Sequence, residues 1–197
     1  MLEKDRSLEK INFFIVLIFF FFSTELSGEN IVSKVLKYNN NLHNTSALFI
    51  QSSSKSIEEG MIYFGKERIK INYLKPRKLT VIISKKTGVY IDHDLQESQY
   101  FNTNKSYASV FFKIFNNNNP LEIPNVNISD SLIEINEEVE IDETIYKITF
   151  IYENNPIILR KIIIYENKES FELGLFGHEN LKSLTKKFFS MVDPYLN

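Results

Sequence analysis

Hydrophobic and polar residues alternate most regularly between residues 60 and 101, and this alternation predicts β-strands. Ile69, Ile71 and Tyr73 are separated by polar residues, which is the period of a strand with one apolar face. Pro76 then interrupts the pattern, because proline cannot donate a hydrogen bond to a strand ladder. A continuous apolar run and a second alternation follow it. The stretch therefore predicts a meander of short antiparallel strands.

Helical spacing of apolar residues is confined to shorter segments. We expect an amphipathic helix over residues 29–42, a short helix with a broad aromatic face over 106–115, and a last amphipathic helix near the C-terminus. A weak strand is expected over residues 47–54. Renewed alternation between residues 133 and 175, with hairpin turns inside it, predicts four or five more strands.

None of these predicted strands is followed by a crossover helix, and all connections suit antiparallel neighbours. The expected fold class is therefore mainly β with α, in which helices lie over the concave face of one strongly curved antiparallel sheet. The sequence shows no internal repeat and no second domain.

The N-terminus has the pattern of a secretory signal peptide. Basic residues precede ten unbroken apolar residues, 13–22, and a polar stretch follows that ends at Gly28. A membrane-spanning helix needs about 20 apolar residues, so this run is too short to be one. We expect residues 1–28 to be the signal peptide and residues 29–197 to be a single exported domain. An uncleaved membrane anchor is the alternative, since acidic residues offset the basic ones.

Composition narrows the function classes. The chain of 197 residues is long enough to bury a sizeable core, and its formal net charge of −2 argues against a nucleic-acid partner. Cysteine is absent, so no disulfide forms and no thiol is available to carry a lipid. An exported form would therefore be freely soluble.

Candidate catalytic and metal-binding groups are sparse. The three histidines are dispersed, and residues 92–94 (Asp-His-Asp) could hold a metal, although such a group at a strand end favours a solvated turn. Residues 60–66 have the spacing of a phosphate-binding loop. Their bulky side chains exclude an open nest of amides, and Glu67 would repel phosphate. We therefore predict no cofactor, no metal and no enzymatic activity.

The chain is rich in aromatic residues, with ten Tyr and 17 Phe. A curved sheet with such residues on its inner face, covered by helices that are themselves aromatic, encloses either a dense core or an apolar cavity. Apolar periodicity cannot distinguish a filled interior from a hollow one, so both remain open.

Several positions carry a family resemblance. They are Gly60 with Tyr63 and Phe64, then Ile69, Ile71, Tyr73 and Pro76, then the segment 82–96 with its Ser84, Gly88, Tyr90, Asp92, Leu95 and Gln96. This pattern resembles the core motifs of the periplasmic outer-membrane lipoprotein carrier proteins, the LolA family. The apolar segment 109–115 falls where that family has a short helix after its sixth strand.

The resemblance implies an unclosed β-barrel with a helical lid over an apolar cavity. Such a protein is a monomeric periplasmic chaperone of outer-membrane biogenesis. It takes the acyl chains of lipoproteins from an inner-membrane ABC-type releasing complex and passes them to an outer-membrane lipoprotein receptor.

The expected acyl-binding residues follow from the alternation and the resemblance together. On the sheet they are Phe49, Phe64, Ile71, Tyr73, Ile82, Val89, Ile91 and Phe101, and on the lid Phe111, Phe112 and Phe115. A slip of one residue in register would invert the facing of any strand. The family locks its lid with an arginine, for which Arg68 or Lys66 is the candidate here. The alternative function is a membrane-anchored β-rich interaction module with a filled core and no lipid cargo.

Overall fold

The computed structural model describes residues 31–116, 125–141, 143–166 and 169–196. The predicted signal peptide, residues 1–28, lies outside these ranges. None of the helices in the described ranges has the length and apolar character needed to cross a membrane.

The elements follow the predicted order. Helix α1 spans Ile31–Asn40 and helix α2 spans Ala108–Asn116. The strands are β1 Thr45–Ser52, β2 Ile57–Phe64, β3 Ile69–Lys75, β4 Leu79–Ile83, β5 Thr87–Asp92, β6 Glu97–Asn102, β7 Asn125–Ile128, β8 Leu132–Ile141, β9 Thr144–Asn154, β10 Ile157–Glu166 and β11 Glu169–Asn180. Single turns of 3-10 helix occur at Thr103–Lys105 and Lys186–Phe189.

All eleven strands belong to one antiparallel sheet, in the order β6-β5-β4-β3-β2-β1-β11-β10-β9-β8-β7. Two meanders meet at its centre, where β1 pairs with β11. Within the described ranges no ladder joins the edge strands β6 and β7, so the sheet is open. The predicted single antiparallel sheet is confirmed.

Contacts of one side chain with two distant strands show that the sheet is strongly curved. The Phe115 ring of α2 lies 5.1 Å from the Phe64 ring on β2 and 6.3 Å from the Phe150 ring on β9. Three strands, β1, β11 and β10, separate β2 from β9 in the sheet. Both helices contribute to the core on this concave face through Val35, Phe111 and Phe115. Their expected role as a lid stays a prediction.

Helix α1 is fixed to the sheet by buried polar side chains as well as by Val35. Asn39 and Tyr152 are each 1% exposed, and Nδ2 of Asn39 donates a hydrogen bond to the Tyr152 hydroxyl over 3.1 Å. The Tyr38 hydroxyl accepts the backbone N–H of Leu159 over 3.1 Å. Nε2 of His178 lies 2.9 Å from the Leu159 carbonyl oxygen. Side chains thus satisfy both backbone groups of Leu159, where the pairing of β10 with β9 shifts register.

The C-terminal segment differs from the helix that its amphipathic pattern predicts. Residues 181–196 contain only the 3-10 turn and run over the convex face of the sheet, opposite α1 and α2. Met191 and Tyr195 pack there against a second apolar cluster formed by Ile82, Val89 and Ile91. The contacts of Met191 and Tyr195 with the sheet therefore take the place of the predicted helix, while Val192 and Leu196 are exposed.

Removing the Tyr152 hydroxyl tests the buried link to α1. Tyr152→Phe leaves the Asn39 amide without its partner in a dry site, so we expect a loss of about 1–3 kcal/mol in the free energy of unfolding. Urea denaturation measures it. Tyr165→Phe, on a side chain that is 43% exposed, is the matched control and is expected to stay within about 0.5 kcal/mol. The double variant Tyr152→Phe with Asn39→Leu removes both partners and should recover most of the loss. A Tyr152→Phe protein as stable as wild type would contradict this account.

His178 makes the stability depend on pH. Burial lowers the pKa of His178, and the positive charge of Arg160 adds to this, against the opposing effects of the Leu159 hydrogen bond and Glu153. As the pH falls, the His178 side chain is protonated in the unfolded chain, where its pKa is about 6.5, before it is protonated in the folded protein. Stability from this group is present above that pH and is lost as the pH falls below it. We expect His178→Gln to flatten this part of the stability profile, and His43→Gln, on an exposed side chain, to leave the slope in place.

Candidate ligand-binding cavity

A cavity of about 580 Å³ lies between the concave face of the sheet and the start of α2. Ligand sites for small molecules typically measure about 300–1,000 Å³. Strands β1–β6 border it on one side, β10 and β11 on the other. Its apolar and aromatic lining consists of Phe49, Ile62, Ile71, Tyr73, Leu79, Val81, Ile83, Tyr90, Phe101, Tyr107, Ala108, Phe111, Ile162, Ile164, Phe171 and Leu173.

The strand register explains why these side chains share one surface. Ile62 pairs with Ile71, and Ile71 pairs with Val81, so the three lie in one row across β2, β3 and β4. Val81 pairs in turn with Tyr90 on β5. Paired residues of an antiparallel sheet point to the same face, and here that face is concave.

A glycine lets two aromatic rings form part of the cavity wall. Gly60 pairs with Phe49 on β1 and with Tyr73 on β3. A Cβ atom at Gly60 would lie 2.7 Å from the Phe49 ring and would also overlap the Asn72 carbonyl oxygen. The Phe49 ring therefore lies directly over the glycine and meets the Tyr73 ring edge-on, with centroids 5.1 Å apart.

Polar groups on β1, β2 and β3 border the cavity next to its rows of apolar side chains. The Tyr73 hydroxyl donates a hydrogen bond to Oε1 of Gln51 over 3.0 Å, and Nε2 of Gln51 donates to Oε2 of Glu58 over 3.0 Å. Burial is the main reason why the pKa of Tyr73 is raised, and Tyr107 and Glu58 add to it. The hydroxyl is therefore a fixed, neutral donor. Arg77 and Gln99 add to this polar border, which we call the mouth.

The structure brings several of the predicted residues to this cavity. Phe49, Ile71, Tyr73, Phe101 and Phe111 border it directly. The other three predicted phenylalanines belong to the hydrophobic core around it: Phe64 and Phe115 are buried there, and Phe112 packs against that core. Their contact with a ligand stays a prediction.

Three predicted lining residues lie on the opposite face. Ile82, Val89 and Ile91 form the convex cluster under Met191 and Tyr195. The predicted register of β4 and β5 is thus wrong by one residue, and Val81, Ile83 and Tyr90 take the concave positions. Both faces of these two strands carry large apolar or aromatic side chains, so alternation alone could not assign them.

Sequence reasoning also missed the contribution of the C-terminal meander. Ile162 and Ile164 on β10 and Phe171 and Leu173 on β11 border the cavity. The alternation itself could have identified them, because the two residues of each pair stand at positions i and i+2 and so point to the same face of a strand. Only the pairing of β11 with β1, which closes a loop of more than one hundred residues, brings these strands beside Phe49.

The candidates for a lid-locking cation lie beside the turn between β2 and β3. Nη1 of Arg68 donates a hydrogen bond to the carbonyl oxygen of Phe189 over 2.6 Å, and Lys70 donates to that of Phe188 over 3.2 Å. Arg68 therefore fastens the C-terminal segment to the convex face. Lys66 is exposed. A lock on α2 by Arg68 or Lys66 stays a prediction.

The Asp-His-Asp group forms a structured turn between β5 and β6. Oδ1 of Asp92 accepts the backbone N–H groups of Asp94 and Leu95, each over 3.0 Å. His93 has one ring nitrogen 2.9 Å from the Thr80 hydroxyl and the other 2.9 Å from the Tyr195 hydroxyl. Across the described ranges no three His, Asp or Glu side chains converge as metal ligands.

Comparison with known proteins gives similarity of structure only. No protein-family model and no curated protein matches the sequence. Similar solved structures include an uncharacterized conserved protein from Thermus thermophilus, at 11% identity and a TM-score of 0.49, covering 81% of this chain and 90% of that one. Another is the MucA/MucB complex of Pseudomonas aeruginosa, with 9% sequence identity and a TM-score of 0.48. That match covers 82% of this chain and 59% of the matched chain. LprF from Mycobacterium bovis is also similar, with 11% sequence identity and a TM-score of 0.37. The match covers 75% of this chain and 90% of LprF. The function proposed below therefore rests on the cavity and not on these neighbours.

Adding one methyl group at Gly60 tests the packing of the cavity wall. Gly60→Ala would force its Cβ into the Phe49 ring and the β3 backbone, so we expect a loss of about 1–3 kcal/mol in unfolding free energy. Gly174→Ala is the matched control, because its nearest neighbour would be the Ile50 carbonyl oxygen at an ordinary 3.8 Å. Thermal unfolding of both variants measures the difference. Equal stability of the two alanine variants would contradict the close contact.

Proposed function

We propose that this protein is a periplasmic carrier that hides the acyl chains of lipoproteins in its cavity. In this role it takes them from the inner membrane and delivers them to the outer membrane. The observation that carries the proposal is the hollow of about 580 Å³, which is lined chiefly by apolar side chains of eight strands and α2. The sequence resemblance to the LolA family supplies the transport route, the ABC-type releasing complex and the outer-membrane receptor. The N-terminal pattern supports a periplasmic location.

Hydrophobic transfer explains why such a carrier needs a hollow of this kind. Each methylene exposed to water costs roughly 0.8 kcal/mol, so one long acyl chain costs on the order of 10 kcal/mol. An apolar cavity recovers much of this cost. Release then requires a change that lowers the affinity, and opening of α2 is the proposed change. Phe111 and Phe115 hold α2 by apolar contacts, which do not require exact geometry.

The hollow weighs against the alternative of an interaction module with a filled core. A filled interior would leave only voids of about the size of a water molecule. Binding is also proposed over catalysis, because the cavity lining is chiefly apolar. Of the polar side chains at its mouth, those of Tyr73, Gln51 and Glu58 are joined to one another by hydrogen bonds.

Filling the cavity tests the proposal directly. Ile71→Phe places a larger side chain in the hollow, so we expect at least about tenfold weaker binding of a fluorescent fatty acyl probe. Ile50→Phe makes the same change on the convex face of β1, where the side chain is 46% exposed. This control is expected to keep wild-type affinity. Thermal unfolding of both variants establishes that they are folded.

A second experiment examines the cargo in place. Protein purified from its native periplasm should carry lipoprotein, identified by mass spectrometry of the intact complex. The mass of the mature chain would also show whether the N-terminal segment has been removed. A protein that is isolated empty and also fails to bind the acyl probe would overturn the carrier function.

A further inference from the structure

One acidic side chain on the cavity wall forms no ion pair with any residue that the structure describes. Glu58 lies at a concave position of β2, paired with Gln51 of β1, and it borders the cavity. Its carboxylate accepts one hydrogen bond, from Nε2 of Gln51 over 3.0 Å. A carboxylate offers about four acceptor sites. Within the described part of the chain, no cationic group forms an ion pair with Glu58.

The hydrogen bonds around Glu58 hold it in place without neutralising it. The side-chain amide of Gln51 donates an N–H bond to Glu58, and its carbonyl oxygen accepts a hydrogen bond from the Tyr73 hydroxyl. Both Gln51 and Glu58 are only partly exposed, so water screens the carboxylate incompletely. The chain Tyr73–Gln51–Glu58 thus presents a fixed negative group at the mouth.

The cation at the mouth is already paired. Nη1 of Arg77 lies 3.7 Å from Oδ2 of Asp92, whose side chain is 6% exposed. Glu172, which also borders the cavity, pairs with Lys161 over 3.0 Å. Glu58 is therefore the group whose charge is left for a ligand.

We infer that the mouth selects acyl ligands whose polar head bears a nitrogen that donates N–H bonds, as in an amine or an amide, over free fatty acids. This rests on the proposed binding of acyl chains in the cavity. With the chain in the hollow, the head group lies near Glu58 and donates a charge-assisted hydrogen bond to it. The carboxylate of a fatty acid in the same place meets like charge and loses part of its hydration.

Two probes that differ only in the head group test the inference. One is a fluorescent alkylamine and the other a fluorescent fatty acid of the same chain length and fluorophore. We expect the wild-type protein to bind the amine about tenfold more tightly than the acid at neutral pH and low salt. Glu58→Gln should bring the two affinities close together, and Glu58→Lys should reverse the preference.

Glu59→Gln is the matched control. Glu59 neighbours Glu58 on β2, but it pairs with Ile50 and forms an ion pair with Lys75 on the convex face. Its removal lowers the net negative charge by the same amount, and the preference for the amine should be unchanged.

The failure of this inference is distinguishable from failure of the carrier function. Equal wild-type affinities for the two probes, tighter binding of the acid, or a preference that survives Glu58→Gln would overturn head-group selection and leave acyl binding intact. Loss of the preference in Glu59→Gln as well would assign it to net charge and would also overturn the role of Glu58. Binding of neither probe would overturn both proposals.

Discussion

The structure depends on a curved sheet of eleven strands whose concave face is not filled by its own side chains. β2 and β9 approach closely enough for Phe115 of α2 to contact Phe64 and Phe150 together. Aromatic rings fill the interior there. Elsewhere the concave side chains of β1–β6, β10 and β11 face one another across a hollow of about 580 Å³. The cavity is thus a consequence of curvature combined with the register of the strands.

Much of the fold could be predicted because it is local. The alternation at Ile69, Ile71 and Tyr73 and the interruption at Pro76 mark β3 and its end, and the aromatic stripe of residues 106–115 marks α2. The pairing of β1 with β11 could not be predicted in this way. It joins Thr45–Ser52 to strand residues near the other end of the chain, and neither strand carries a residue that specifies its partner.

The candidate site was less predictable, for two physical reasons. β4 and β5 carry apolar side chains on both faces, because the C-terminal segment covers Ile82, Val89 and Ile91 on the convex face of the sheet. Ile82 and Val81 are consequently equivalent in the sequence, although only Val81 faces the hollow. The polar chain of Tyr73, Gln51 and Glu58 draws on three strands, so each member alone has the pattern of an ordinary strand residue.

Hydrogen bonds hold the parts of the structure that are not proposed to move, and on the concave face these include α1, through the buried pair of Asn39 and Tyr152. The convex face is closed by hydrogen bonds with defined geometry, such as those from Arg68 to Phe189 and from the Tyr100 hydroxyl to the Met191 carbonyl oxygen over 2.7 Å. The concave face meets α2 through aromatic packing. Apolar contacts can be exchanged for contacts with an acyl chain at little cost, whereas an ordinary hydrogen bond contributes about 0.5–1.5 kcal/mol and depends on its geometry. A carrier that opens at α2 would therefore keep the hydrogen bonds that hold α1 and the C-terminal segment.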